Sequence, residues 1–384
     1  MLVAESPLAP RNPAAPPSRG SVTGAAKTTA VMPPPDWSAG GGRGYYGGPV
    51  LSPRVRLIRA DRFAAGYGPR AAGLALGFAA DLVLGDPARA HPVAAFGRFA
   101  GGLERRWWRD QRSAGVAFAA IGVAAPALLG ATLTRGRGPR WTVLSTAATT
   151  WTVLGGTSLV REGERMGRLL TAGDLDGARG RLGYLCAREA DGLDAVELVR
   201  ATVESLAENT SDAVVAPLVW GLIAGVPGLL AYRAVNTLDA MVGYRSARYE
   251  RFGWAAARLD DLANLLPARV CAALTVALAP AVGGSLTTAG RVLRRDGAHH
   301  PSPNAGRVEA AFAGALGVRL GGVNQYGAVR EQRSNLGSGP TPAVPDIARA
   351  ARLSRLVQVA ALALVLVLAA TLGRLGARPR LRRR

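Results

Sequence analysis

The chain has 384 residues, 49% of them hydrophobic, and carries 47 basic against 26 acidic groups for a net charge of +21. A chain this apolar and this basic must segregate its charges as membrane proteins do, and its arginines flank apolar runs instead of studding an aromatic-rich soluble face, which argues against a nucleic-acid partner. Lys27 is the only lysine and lies in a low-complexity stretch, so Schiff-base and pyridoxal-phosphate catalysis are excluded; two cysteines and three histidines leave neither a disulfide framework nor a multi-histidine metal site.

Residues 1–53 hold ten of the 25 prolines and a Gly-rich run at 40–48. They show no apolar period and read as a disordered extension. Residues 54–375 read as one membrane-embedded, all-α domain, a polytopic helical protein with polar helical loops and some broken or re-entrant helices. Its apolar runs lie near 71–85, 114–133, 141–160, 213–232, 270–290 and 356–373, and an arginine-rich tail follows at 376–384. The first run, 15 residues, is short for a span. It ends in DLVLGDPARAHPV, where Asp81, Asp86 and His91 make a polar turn that reads equally as a loop with a capping aspartate.

The runs at 114–133 and 141–160 contain no charge, and the linker between them carries three arginines. This predicts a helical hairpin through the bilayer, with Trp107, Trp108, Trp141 and Trp151 as interface candidates. Residues 161–199 are polar and helical in pattern, and Asp194 is placed to cap the helix that follows.

The centre of the chain, residues 200–269, gathers the chemistry. Arg200, Glu204, Glu208 and Asp212 recur every four residues and share one helix face. The charge-free run 213–232 follows, interrupted by Pro217, Gly225, Pro227 and Gly228, which predicts a broken or re-entrant element. Asn236 and Asp239 come next, then Asp260, Asp261 and Asn264 in RLDDLANLLPAR. If every run crosses the membrane, the acids before and after 213–232 fall on opposite faces. Re-entrance would unite them. Oxygen-only groups suit Mg²⁺, held by one or two carboxylates plus substrate phosphates, and Arg200, Arg233, Arg245, Arg248 and Arg258 could pair phosphate oxygens. Candidate catalytic acids are Glu204, Glu208, Asp212, Asp260 and Asp261. Candidate metal ligands are Asp239, Asp260, Asp261 and Glu208. Each could instead be a member of an interhelical salt bridge or a solvated face. No Ser-His-Asp or Cys-His pairing accompanies them, which favours electrostatic and metal-assisted phosphoryl chemistry.

Five stretches in order, DLVLGDPARAHPV, VESLAENTSDAVVAPLVW, GLLAYRAVNTLDAMVGYR, YERFGWAAARLDDLANLLPAR and HPSPNAGRVEAAFAGALGVRLGG, resemble the adenosylcobinamide-phosphate synthase family of cobalamin biosynthesis over roughly residues 71–375. The resemblance implies an inner-membrane, multi-pass enzyme. It would join the propionate of adenosylcobyric acid to aminopropanol or its O-phosphate, using ATP with Mg²⁺ and no pyridoxal phosphate. Other membrane enzymes of that pathway are candidate partners. The substrate- and phosphate-binding set is then Arg200, Arg233, Asn236, Arg245, Arg258, Asn264, His91 and Asn304. One departure stands out: Arg188–Glu189 occupies the place of an Arg-Asp pair usual in the family. Two readings compete with the synthase: an intramembrane Mg²⁺-dependent prenyltransferase, and a non-catalytic scaffold or transporter.

Overall fold

The structure, a computed structural model, describes residues 66–86, 91–244, 246–326 and 329–377. The extension at 1–53, Arg245 and most of the basic tail lie outside the described residues. The described residues form thirteen α-helices and one hairpin of two strands. α1 (Tyr67–Leu84), α2 (Pro92–Trp107), α3 (Arg112–Thr134), α4 (Pro139–Val153), α5 (Gly156–Thr171) and α6 (Leu175–Leu182) precede the centre. α7 (Ala195–Thr210) passes through a π-helical turn, Ser211–Val215, into α8 (Ala216–Val242). α9 (Trp254–Ala263) and α10 (Leu265–Leu278) follow, then α11 (Leu286–Asp296) and α12 (Ala305–Leu316), the hairpin β1 (Leu320–Tyr326) and β2 (Val329–Leu336), and the long α13 (Val344–Ala377).

Among the described residues four segments are long and apolar enough to cross a membrane: Arg112–Thr134, Ala195–Val242, Leu265–Val282 and Val344–Leu375. The large side chains left on the surface of α3 and α13, among them Leu128, Leu129, Val367 and Leu368, suit lipid contact. The chain is thus a helical membrane protein.

The expected hairpin of runs 114–133 and 141–160 does not form as a packed pair. α3 packs along α8 instead, and α4 packs along α1. The cause is visible in α1. Gly73 and Gly77 lie so close to Thr146 and Thr150 that a Cβ on either would stand 2.5 Å from the threonine Cβ. Small residues four apart let two helix backbones approach this closely, and that packing outweighs sequence proximity. The second run also breaks: α4 ends at Val153, and Asp81 of α1 accepts hydrogen bonds from the Thr157 N–H (3.1 Å) and hydroxyl (3.0 Å), capping α5 from another helix.

The antiparallel β1–β2 hairpin is the one sheet among the described residues. The main core is formed around α7, α12 and α13, with Leu198, Leu206, Phe312 and Leu353 wholly shielded from solvent. A smaller core joins Phe118 of α3 to Phe252, their ring centroids 5.0 Å apart.

Candidate functional site

The site is built by a reversal of the chain inside α8. Gly225 has φ 65° and ψ −145°, a backbone conformation that residues with a Cβ avoid. There the helix folds back on itself. Gly221 packs on the Leu229 side chain, and the Tyr232 hydroxyl lies 3.2 Å from the Asp212 main-chain oxygen and 2.9 Å from Asn264 Oδ1. The run 213–232 therefore doubles back as a hairpin, the shape a re-entrant element requires, its inward and outward arms meeting at Gly225, and the acids on either side of it come to one place.

Asp212 stands in the π-helical turn at the start of the inward arm, a widened turn common at functional positions. It lies within charge range of Asp260, Glu208, Asp239 and Arg233. Asp239, on the outward arm, faces Asp260, Asp261 and Glu208. Asn264 Nδ2 donates to Asp260 Oδ2 at 3.0 Å, and the Asn236 side chain lies near the same carboxylate and lowers it as well. Burial pushes the Asp260 carboxyl up to about 6, against the pull of those two amides, and Asp261 and Glu208 push it the same way. Asp212, Asp239 and Asp260 are half-buried and Glu208 is exposed, although protein surrounds all four closely. Deep groups that still touch solvent line a cleft. Four carboxylates facing one arginine in such a cleft repel one another, an arrangement that a divalent cation relieves. Among the described residues no three His, Cys, Asp or Glu side chains close on a single point tightly enough to hold an ion unaided. The donor set thus fits a metal that takes one or two carboxylates and completes its shell with water and phosphate.

Arg233 reaches the cleft from the outward arm. It faces Asp212 and also Asp86, and His91 lies within range of both Asp86 and Arg233. The turn at the end of α1 is thereby drawn to the acids. His91 caps α2, its Nδ1 accepting from the Val93 N–H at 3.2 Å, and burial holds the imidazole below its usual range.

A second cluster lies behind Glu208. Glu204 is buried, with one carboxylate oxygen 2.8 Å from the Arg188 guanidinium and the other accepting from the Gly321 N–H at 2.8 Å. Arg200 donates to the Gly321 carbonyl. Glu309 of α12 is 1% exposed and faces Glu204, Glu208, Arg188 and Arg333; burial holds its carboxyl well above the usual range. His300 Nε2 stands 3.9 Å from it. Both oxygens of Glu204, one of the predicted catalytic acids, are therefore engaged by the protein, and Arg200 grips β1. Of the Arg188–Glu189 pair, the arginine is the buried member and Glu189 is exposed.

The other candidates are distributed around the cleft. Asp261 lies 3.5 Å from the largely exposed Arg258. Asn304 bridges elements: its Nδ2 donates to the Asp261 main-chain oxygen at 2.7 Å and its Oδ1 accepts from Arg269 at 2.9 Å. Arg248 is away from the acids, 3.1 Å from Glu104 and stacked over Trp108. Sequence reasoning passed over Tyr232, Glu309 and Arg333. Glu309 carried a signal, as the lone charge in VEAAFAGAL between small apolar residues. Tyr232 carried none, since an aromatic in an apolar run reads as core.

A family model described as CobD/Cbib protein matches residues 74–354. A Cobalamin biosynthesis protein CobD from Mycobacterium tuberculosis is 53% identical over 306 residues, covering 80% of this chain and 98% of the relative. A protein of the same name from Geobacter metallireducens is 48% identical over 255 residues, 64% of this chain and 80% of its own length. Another from Rhodobacter capsulatus is 40% identical over 314 residues, 79% of this chain and 98% of its own length. No solved structure matches the chain.

Proposed function

The chain belongs to the CobD/Cbib family of cobalamin biosynthesis proteins, and from that premise we propose that it forms an amide bond between the propionate of adenosylcobyric acid and aminopropanol or its O-phosphate, driven by ATP at the membrane face of a cell's inner membrane. The observation that carries the reading is the convergence of Asp212, Asp239, Asp260 and Glu208 with Arg233 across the re-entrant hairpin.

In this reading Asp260 and Asp239, supported by Asp261, would hold Mg²⁺, which when bound would neutralise charge on a transferring phosphoryl group. Arg233 pairs phosphate oxygens from the opposite wall. A propionate oxygen bonds to the γ-phosphorus of ATP as the bridging P–O bond breaks and ADP leaves. The amine nitrogen then bonds to the acyl carbon, phosphate departs, and the amine proton passes to Glu208, the acid of the set that solvent reaches most freely. Asn236 and Asn264 orient Asp260, and the Glu204–Arg188 pair holds the wall behind Glu208.

The test is direct. The protein, purified in detergent, is given Mg²⁺, ATP, adenosylcobyric acid and aminopropanol phosphate, and ADP and the corrinoid are followed by mass spectrometry. ADP should form with the amide only when both organic substrates are present. Absence of amide under those conditions overturns the reading.

A further inference from the structure

Two arginines outside the acidic cleft are placed together with no carboxylate to balance them. Arg307 sits in the first turn of α12, where the helix dipole already contributes positive potential. Arg269 of α10 is tied to the same turn, its guanidinium donating to Asn304 Oδ1 while the Arg307 N–H donates to the Asn304 main-chain oxygen at 3.1 Å, and it lies within charge range of Arg307. Among the described residues neither guanidinium lies in an ion pair, and the Arg307 Nε is shielded from solvent without a hydrogen-bond partner. Arg269 is held by two neutral acceptors, the Leu265 carbonyl at 2.7 Å and Asn304 Oδ1 at 2.9 Å. Both arginines are half-buried, so solvent reaches them without fully screening their repulsion.

The clamp that holds Arg269 fixes where this pair points. Asn304 donates through its other amide atom to the Asp261 main-chain oxygen at 2.7 Å. The pair is thereby tied to the end of α9 that carries Asp260 and Asp261, on the rim of the cleft. A like-charge pair held in place by neutral groups beside a cation-seeking acidic cleft is an arrangement completed by an anion. Guanidinium forks suit phosphoryl oxygens, which accept two parallel N–H bonds.

We infer that Arg269 and Arg307, braced by Asn304, form a phosphoryl-binding site on the rim of the carboxylate cleft. The inference deepens the proposed function and rests on it for the ligand, which is either the polyphosphate of the nucleotide or the phosphate monoester of the amine. The acids take the cation and this pair takes the phosphoryl oxygens beyond it, so the two clusters divide a metal–phosphate ligand by charge.

Calorimetric titration of the full-length protein in detergent tests this without turnover. The ligands are a non-hydrolysable ATP analogue with Mg²⁺, aminopropanol phosphate, and unphosphorylated aminopropanol. Arg307→Ala and Arg269→Ala should each weaken at least one phosphorylated ligand by about 10-fold or more, the loss of a charge-assisted bond, and the ligand affected identifies the phosphate held. Binding of the unphosphorylated amine should be unchanged. Arg307→Lys should recover part of the loss, because charge remains while the fork is gone. Wild-type affinity for both phosphorylated ligands in the variants overturns the site, as does failure of the wild-type protein to bind either. Equal loss for phosphorylated and unphosphorylated amine assigns the pair a structural role and also overturns it. If an alanine variant does not fold, Arg307→Lys decides alone: weaker phosphorylated-ligand binding supports the site and unchanged binding refutes it. Arg307-dependent binding in a protein that makes no amide leaves this site standing and removes the synthase reading.

Discussion

The Tyr232 hydroxyl lies 3.2 Å from the main-chain oxygen of Asp212, 20 positions earlier in the chain. In a straight helix those residues would be about 30 Å apart. The contact pins the outward arm of the hairpin to the inward one, and Asn264 joins it at 2.9 Å from the third element of the site. Tyr232→Phe keeps the ring and removes the hydroxyl, leaving buried acceptors without their donor. It should destabilise the protein by about 1–3 kcal/mol. A lowered Tm in detergent and a fall in amide-forming turnover are expected, with insertion into the membrane intact.

Gly225→Ala strains the reversal itself. The left-handed φ at this position costs a residue with a Cβ about 1–3 kcal/mol, and the new Cβ would meet the Arg70 Nε at 3.2 Å. Thermal melts should show a loss of that size. Labelling with a membrane-impermeant thiol reagent tests the geometry: Val196→Cys and Tyr244→Cys, both exposed and flanking the hairpin, should react from the same side in a chain whose own cysteines are replaced by alanine. Reaction from opposite sides would show that the stretch crosses the membrane.

Asp260→Asn should separate activity from stability. On the proposed mechanism the substitution removes a charge that would hold the metal, and turnover should fall by about 100-fold or more, the scale of a lost electrostatic group at a reacting phosphate. The folded protein holds this carboxyl at about 6, above the unfolded value of about 3.9, chiefly through burial. The sign follows: the charged form is disfavoured in the fold, so in the presence of EDTA stability should rise as pH falls from about 6 toward about 4. At neutral pH the metal-free asparagine variant should melt higher than the parent, and an equal or lower Tm would contradict this. Asp261→Asn should also lose turnover while remaining folded.

Glu204→Gln removes the carboxylate that is hydrogen-bonded to the buried Arg188 guanidinium. Breaking a buried pair from one side costs about 3–5 kcal/mol, whereas replacing both members with apolar residues is often near neutral. Arg188→Met with Glu204→Leu should therefore melt higher than Glu204→Gln alone, and the coupling is read from a double-mutant cycle.

Asp296 gives the acid limb. The hydrogen bond from the Arg295 side chain, with further help from the Gly337 N–H, holds its carboxyl below the usual range against a smaller effect of burial. A depressed folded value contributes stability above the unfolded pKa and loses it as pH falls through the folded one. Tm should fall on acidification below about pH 4, the ordinary aspartate range, and Asp296→Asn should flatten that limb while lowering Tm at neutral pH.

The parts of this molecule legible in sequence are those written in composition and period. Apolar runs without charge became helices, Asp194 caps α7 through a reciprocal bond with Glu197, and glycine and proline near 225 marked the break in run 213–232. Pairings between helices were not legible. The Gly73–Thr146 and Gly77–Thr150 contacts that take α4 away from α3 depend on shape: two glycines four apart mark a close-packing face but do not name the helix that meets it. The roles of acids on one stripe were equally hidden. Glu204 and Glu208 share a helix face, yet Glu204 turns toward Arg188 and Gly321 while Glu208 reaches solvent, a division made by residues more than a hundred positions downstream as well as nearby.

Glu204 and Arg200 hold the β-hairpin by the N–H and carbonyl of Gly321, both main-chain groups. A grip on the backbone is indifferent to side chains. The attachment to α7 therefore does not depend on which side chains the hairpin carries beyond Gly322. Substitution at 200 or 204 would release the same hairpin whatever sequence it carried. Within one framework, the attachment is fixed and the attached loop is free to diversify.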